Sequence, residues 1–317
     1  MVQFCIINRD FNDIDEFSQV LNSHRNIKLT QLSVRLLKCT LLAIVFNQIH
    51  FYFSTSFNSV RCIGEKPLDF FDFSCILEPE KLNVISHGYQ ISNDMLFGFD
   101  PTRETDLIVS SYLTFCNILI KKELFKDCLQ VMERTDIDEK FLSTNYLHSP
   151  MTILPLQSYL RELWYLLKQK PLFFNLMHLE ELVLGDFIPL LINVIPINSK
   201  STPKRLHSPS RYRIVKEAES FMMENLDKPL TLKDLCLALN SSSSPIFHGF
   251  KEIFGVSPMV YLKIHRLQGV RRLLKASDPE TVSITEIANK FGFWSAGHFA
   301  RDYKKMFGEL PSETIKR

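Results

Sequence analysis

The sequence predicts an α+β chain with a β-rich amino-terminal part, closed by helices, and an all-α carboxy-terminal part. Three observations point there. Between residues 28 and 120 the apolar residues fall in short runs with no helical stretch between them. Beyond residue 211 they change to helical spacing. Within that last part a helix, turn, helix pattern occurs twice, offset by 52 residues in the first helix and 53 in the second.

The chain has 317 residues, 45% of them apolar, which suits two globular domains with ample core. Its net charge of +2 conceals an asymmetry: from Arg205 onward there are 18 Lys or Arg against 12 Asp or Glu, and before it 19 against 23. A basic end on a mildly acidic body is the footprint of one domain that meets phosphate. Seven cysteines, Cys5, Cys39, Cys62, Cys75, Cys116, Cys128 and Cys236, form no CxxC pair. They read as reduced core residues, with neither a disulfide framework nor a zinc site. Arg9, Asp10 and Asp13 lie where a signal peptide needs an apolar run, and the longest apolar stretch, Leu176 to Ile197, is broken by Glu180, Glu181, Asp186 and two prolines. The expectation is a cytoplasmic protein with no membrane partner.

In chain order, Asp13 to Asn22 reads as a short helix, followed by strands at Lys28–Lys38, Cys39–Phe46, Ile49–Ser54, Val60–Ile63, Phe70–Leu77 and Leu107–Ile120. Ile49, Phe51 and Phe53 alternate with His50, Tyr52 and Ser54, the period of a half-buried strand. Short antiparallel strands without intervening helices argue a sandwich or a barrel. Helices follow at Thr152–Gln169, with Leu156, Leu160, Leu163, Trp164 and Leu167 on one face, and at Asn175–Val194. That leucine face either packs onto the β domain or forms a dimer contact. Pro196–Ser210 has prolines, serines and no apolar period, and reads as a linker. The expected domains are therefore 1–198, a linker at 199–210, and 211–317.

In the carboxy-terminal part, Thr231 with Asp234 and Ser283 with Glu286 occupy capping-box positions. Gly292 stands where a helix ends in a left-handed conformation. Ser295 caps a second helix carrying Phe299, Tyr303, Met306 and Phe307, matched upstream by Ile246, Phe250 and Phe254. Ser257 and Pro258 open a long helix between the two copies, with Val260, Ile264, Leu267, Val270, Leu273 and Leu274 at helical spacing. At 1.5 Å per residue such a helix runs roughly 27 Å, enough to hold two reading helices about one DNA turn apart.

The paired motifs, the linking helix and the run Ala288, Gly292, Phe293, Phe299, Tyr303, Gly308 and Pro311 closely resemble the DNA-binding domain of AraC/XylS-type transcriptional regulators. The strings FGVSPMVYLK, FWSAGHFARDYKK and FGELPSET look most like the branch that includes ethanolamine-operon regulators. The resemblance implies a cupin-like amino-terminal sensor domain, a homodimer, a small-molecule effector of unknown identity, and a transcription regulator, an activator or a repressor, that reads double-stranded DNA through two helix-turn-helix motifs, with RNA polymerase as a further partner. No cofactor and no enzymatic activity are expected.

The expected DNA-facing residues of the second motif are Ala296, Gly297 and Arg301, the positions where the family makes its contacts, with His298 beside them. Ala296 and Gly297 offer no side-chain hydrogen bond, although alanine meets a thymine methyl, so Arg301 carries the donors. Lys304 and Lys305 read either as phosphate contacts or as a solvated face. In the first motif the positions are Ser244, Phe247 and His248, where the family commonly places long polar or basic residues. An exposed Phe247 either meets thymine methyls or marks degraded readout, and His248 either bonds DNA or has no part in it. The alternatives are an architectural DNA binder without an effector, and an enzyme. For the latter the sequence offers no phosphate loop and no nucleophile motif, and His24, His50, His87 and His148 stand alone rather than at metal-ligand spacing.

Overall fold

The computed structural model describes residues 4–23, 25–78, 84–109, 112–169, 179–197 and 209–316. The predicted linker falls almost wholly outside them, as does His24. By contacts the chain divides into two units, one of Met1–Leu29, Lys38–Phe57 and Arg61–Lys204, the other of Thr30–Leu37, Asn58–Val60 and Arg205–Arg317. The chain is a mixed α+β protein, β-rich at its amino end and helical at its carboxy end.

The elements of the β-rich region are β1 (Cys5–Phe11), α1 (Ile14–Asn22), β2 (Asn26–Gln31), β3 (Cys39–Val45), β4 (Ile49–Ser56), β5 (Val60–Glu65), β6 (Phe70–Ile76), β7 (Val84–Ser86), β8 (Tyr89–Ile91), β9 (Met95–Phe97), β10 (Thr105–Val109), β11 (Leu113–Lys121), α2 (Lys122–Val131), α3 (Glu139–Leu142), β12 (Tyr146–His148), α4 (Ile153–Gln169) and α5 (Leu179–Asn193). They make two sheets, one ordered β1-β3-β4-β11-β6-β9-β12 and one ordered β2-β5-β10-β7-β8. The pairs of the larger sheet all run antiparallel. Asp13 caps α1 as expected, its carboxylate accepting from the amides of Asp15 and Glu16.

The central strands β4, β11 and β6 of the larger sheet are buried on both faces. One face, with Phe51, Phe53, Phe73, Ile118 and Ile120, shares a core with Phe125 of α2, Leu160 and Leu167 of α4 and Phe187 and Leu191 of α5. A second cluster joins Ile76, Phe97, Leu113 and Tyr146 of the larger sheet to Val84, Ile91, Leu107 and Val109 of the smaller, so the two sheets pack face to face.

This geometry corrects four expectations. In β4 the alternation is real, but His50, Tyr52 and Ser54 are buried as well, because the second sheet covers the face that a one-sided sheet leaves wet. The single strand expected over Leu107–Ile120 is two, β10 and β11, placed in different sheets, with Tyr112 at φ 63° turning the chain between them. The strand expected over Lys28–Lys38 is shorter, ending at Gln31. The face of Leu156, Leu160, Leu163 and Leu167 is buried against the sheet, so the leucine stripe is core and does not form a dimer contact. In α5 the helix runs through Pro189, and the expected residues 175–178 lie outside the described ones.

Sequence reading gave no hint of the polar groups carried between the sheets. Arg25 pairs with Asp72, and Asn117 donates to both Asp72 and Ser74. Arg61 grips Asp106 with two bonds at 2.9 and 3.1 Å. The pair on each side matches charge with charge, which burial demands. His87, at φ 49°, has Nδ1 3.0 Å from Ser86 Oγ and 3.2 Å from Tyr146 Oη. Burial is the main cause that pushes its pKa from 6.5 down to about 4, with Asp106 working in the opposite direction. The folded imidazole is therefore neutral across the range where an unfolded one takes a proton. Its contribution is complete above about pH 6.5 and is lost as pH falls toward 4. Thermal unfolding followed between those pH values is expected to show a falling midpoint, with a shallower slope in His87→Gln.

Candidate nucleic-acid interface

The carboxy-terminal region contributes seven described helices: α6 (Pro209–Glu224), α7 (Leu232–Ala238), α8 (Ser243–Phe254), α9 (Pro258–Ala276), α10 (Ile284–Lys290), α11 (Ala296–Phe307) and α12 (Pro311–Thr314). The pairs α7–α8 and α10–α11 are built by the same local rules. Thr231 and Asp234 form a reciprocal capping box at the start of α7, at 3.3 and 2.8 Å. At the start of α10 the box expected from Ser283 and Glu286 is not made. The backbone at Ser283 (φ −80°, ψ 128°) differs from that at Thr231 (φ −115°, ψ 167°), and the serine hydroxyl makes no bond to the helix. Asn240 (φ 44°) and Gly292 (φ 78°) supply the left-handed turn after the first helix of each pair, and Gly255 (φ 72°) and Gly308 (φ 77°) end the second helices.

Two clusters hold this frame. Ile246, Phe250 and Phe254 of α8 are buried, with the ring of Tyr261 on α9 4.5 Å from that of Phe254. Phe299, Tyr303, Met306 and Phe307 of α11 pack with Ile264, Leu267, Val270 and Leu274 of α9 and with Ile287 and Ala288 of α10. Gly269 lets Phe291 lie against α9, since a Cβ there would meet the ring at 2.4 Å. A buried polar chain then ties α9 to the end of the molecule. Arg271 donates to Glu309 at 3.1 Å, Thr314 donates to the same carboxylate oxygen at 2.8 Å, and Tyr303 donates to Thr314 at 2.8 Å. The Arg271 guanidinium also lies 4.6 Å from the centre of the Phe307 ring.

With one face of each second helix in the core, the opposite face is fixed. Ser244, Phe247 and His248 on α8 are exposed, as are Ala296, Gly297, His298, Arg301, Lys304 and Lys305 on α11. Gly297, Arg301 and Lys304 or Lys305 follow one another at helical spacing and form a stripe, and Ser244 and His248 do the same. Lys251, one turn beyond His248, is exposed on that second stripe. Sequence reading passed over it, although its spacing from Ser244 and His248 is the signal that reveals it. Phe247 is 40% exposed, and its ring meets that of His248 edge-on at 5.9 Å. The carboxylates on these helices have basic partners, Glu252 with Arg211 and Asp302 with Lys263, each at 3.0 Å. Cations therefore set the sign of the exposed stripes. Among the described residues no group of three His, Cys, Asp or Glu could hold a metal, and no helix is long and apolar enough to cross a membrane.

Residues 235–317 match the family model described as a helix-turn-helix domain. Curated relatives include the probable thc operon regulatory protein of Rhodococcus erythropolis, 36% identical over 103 residues, which are 32% of this chain and 31% of that one. The XylDLEGF operon transcriptional activator of Pseudomonas putida is 34% identical over 110 residues, 35% of this chain and 33% of that one. The chain thus spans about a third of the length of these relatives. Among solved structures, a probable AraC family transcriptional regulator from Rhodopseudomonas palustris is 39% identical, covering 33% of this chain and 96% of that one, with a TM-score of 0.31. The class these observations define is that of a helix-turn-helix domain, over residues 235–317. That segment is similar, more particularly, to the corresponding part of the operon regulators named above.

Proposed function

We propose that this chain is a sequence-specific transcription regulator in which α7–α8 and α10–α11 are two helix-turn-helix motifs, with α8 and α11 entering successive major grooves from one side of the duplex. The exposed cationic stripe of Arg301, Lys304 and Lys305 on α11 carries this reading, because the same helix buries its opposite face and belongs to the matched domain. The 19 residues of α9 give a spacer of about 28 Å, close to the roughly 34 Å between successive grooves. Arg301 reads a base edge, and Lys304 and Lys305 hold phosphate. Ser244, Phe247 and His248 form the contact face of the first motif, with Ala296, Gly297 and His298 in the second. The operon activators among the relatives support activation, and RNA polymerase is the partner that activation calls for in this reading.

The amino-terminal region is, in this reading, a cupin-like sensor that takes a small-molecule effector and makes a homodimer in the cytoplasm, with the linker at 199–210. The pair of face-to-face sheets supports the first part. For the dimer, the support is the outer face of α4, where Leu154, Tyr165 and Leu166 are exposed and an open groove of about 380 Å³ runs past Ser158, Arg161 and Glu162. The closer likeness to the ethanolamine-operon-regulator branch rests on the three strings in the carboxy-terminal domain.

Selection of bound duplexes from a random library tests the reading. Two conserved half-sites with centres about 10 base pairs apart are expected. A single short consensus would mean that only one motif reads DNA, and no consensus would mean that the protein binds without specificity.

A further inference from the structure

We propose that Trp294 packs on the sugar-phosphate wall of the groove that α11 enters, its indole face on deoxyribose and its N–H donating to a phosphate oxygen. This rests on the reading of α10–α11 as a DNA-binding pair. Trp294 is 73% exposed, the only large apolar side chain so exposed from Pro258 onward among the described residues. Its neighbour Phe293 behaves oppositely, packing on the domain core with its ring 5.2 Å from Phe299. A lone exposed apolar residue means little by itself. The place of this one decides its partner.

Trp294 lies in the turn between Gly292, where α10 ends in the left-handed conformation, and Ser295, the N-cap of α11. In a helix-turn-helix the first helix crosses the DNA backbone and the first residues of the second reach base edges, so the turn between them passes the phosphodiester wall. The first two residues of α11 carry almost no side chain. Ala296 is small, and a Cβ at Gly297 would meet nothing within 4 Å, so internal packing does not require a glycine there. With no long side chain at those two positions, the helix end approaches the groove closely and the indole is the largest group at its rim. An indole offers an apolar face and one donor, which matches the alternation of deoxyribose and phosphate. The exposed cations that follow on the same helix, Arg301, Lys304 and Lys305, favour a polyanion over a protein surface. Such a contact adds affinity without reading sequence.

The chain has two tryptophans, so Trp164→Phe leaves Trp294 as the only indole in an otherwise intact protein. Titrating that variant with a duplex recovered by the selection above should change Trp294 emission at saturation. In separate binding measurements, Trp294→Ala is expected to weaken the selected duplex and all its single-base variants alike, by roughly five- to tenfold, while Trp294→Phe keeps most of the affinity. Circular dichroism and thermal midpoint should not move, since the side chain is exposed. Unchanged emission together with unchanged affinity, in a protein that still binds the duplex, would overturn the proposal. A changed preference at one base pair would replace a backbone contact by a base contact and overturn it as stated. If the unmodified chain selected no duplex at all, the DNA-binding reading itself would fall and the proposal with it.

Discussion

Glu309→Ala is expected to destabilise the carboxy-terminal domain by about 3–5 kcal/mol, the cost of leaving one member of a buried ion pair without its counter-charge. Arg271 and Glu309 have side chains only 4% and 10% exposed. The same carboxylate accepts from Thr314, which in turn accepts from Tyr303, so one substitution strips acceptors from groups on α9 and α12 together. The loss is read by urea unfolding of the full chain followed by far-ultraviolet circular dichroism, to which the seven described helices of this domain contribute. The double substitution Arg271→Met with Glu309→Leu should recover much of the loss, because it removes both charges rather than orphaning one. A loss below about 1 kcal/mol, the range of an exposed pair, would show that water reaches the site and that the chain from Arg271 to Tyr303 does not hold the helices.

The second large effect concerns α4. Leu160 is fully buried between α4 and the larger sheet, so Leu160→Ala should cost about 2–5 kcal/mol by lost transfer energy and the cavity left behind. It should leave the oligomeric state of the folded protein unchanged. Tyr165→Ser with Leu166→Ser should do the reverse, lowering self-association in sedimentation at little cost in stability, because both side chains lie on the outer face. A variant at Leu160 that stayed fully stable but became monomeric would restore the leucine stripe as the dimer contact.

Where the sequence was legible, one local cause decided the structure. The helix after Asp13 follows from a carboxylate cap and an apolar period, and β3, β4 and β6 from short segments rich in apolar residues with no helical period. The carboxy-terminal helices were readable because glycine at a left-handed position and buried aromatics recur in register, whereas of the expected capping residues only Thr231 bonds its helix. What was not legible depended on distant partners. β1 carries only one buried residue, at Phe11, so its sequence shows no alternation, and it exists because it pairs with β3. β7, β8, β9 and β12 have three residues each, too short for any periodic signal. The turn at Tyr112 has neither glycine nor proline to mark it. Arg25, Asp72 and Asn117 come together from three separate segments, and nothing local announces their meeting. On α11 the exposed face was legible as the complement of its buried aromatics, whereas Trp294 was overlooked because it belongs to a turn rather than to a helical face.

Operator titration of Arg301→Ala and Lys305→Ala, against single-base variants of the selected duplex at several salt concentrations, tests the central claim most directly. Both residues are exposed on α11, but the account gives them different partners. A guanidinium on guanine is worth about 1–3 kcal/mol of discrimination, so Arg301→Ala should weaken the selected duplex roughly tenfold or more and flatten preference at one base pair. Lys305→Ala should weaken every duplex alike and reduce the salt slope by about one unit. If Arg301→Ala instead lowered all affinities uniformly and left base preference untouched, α11 would not read DNA through this residue, and the face assigned to the groove would be the wrong one.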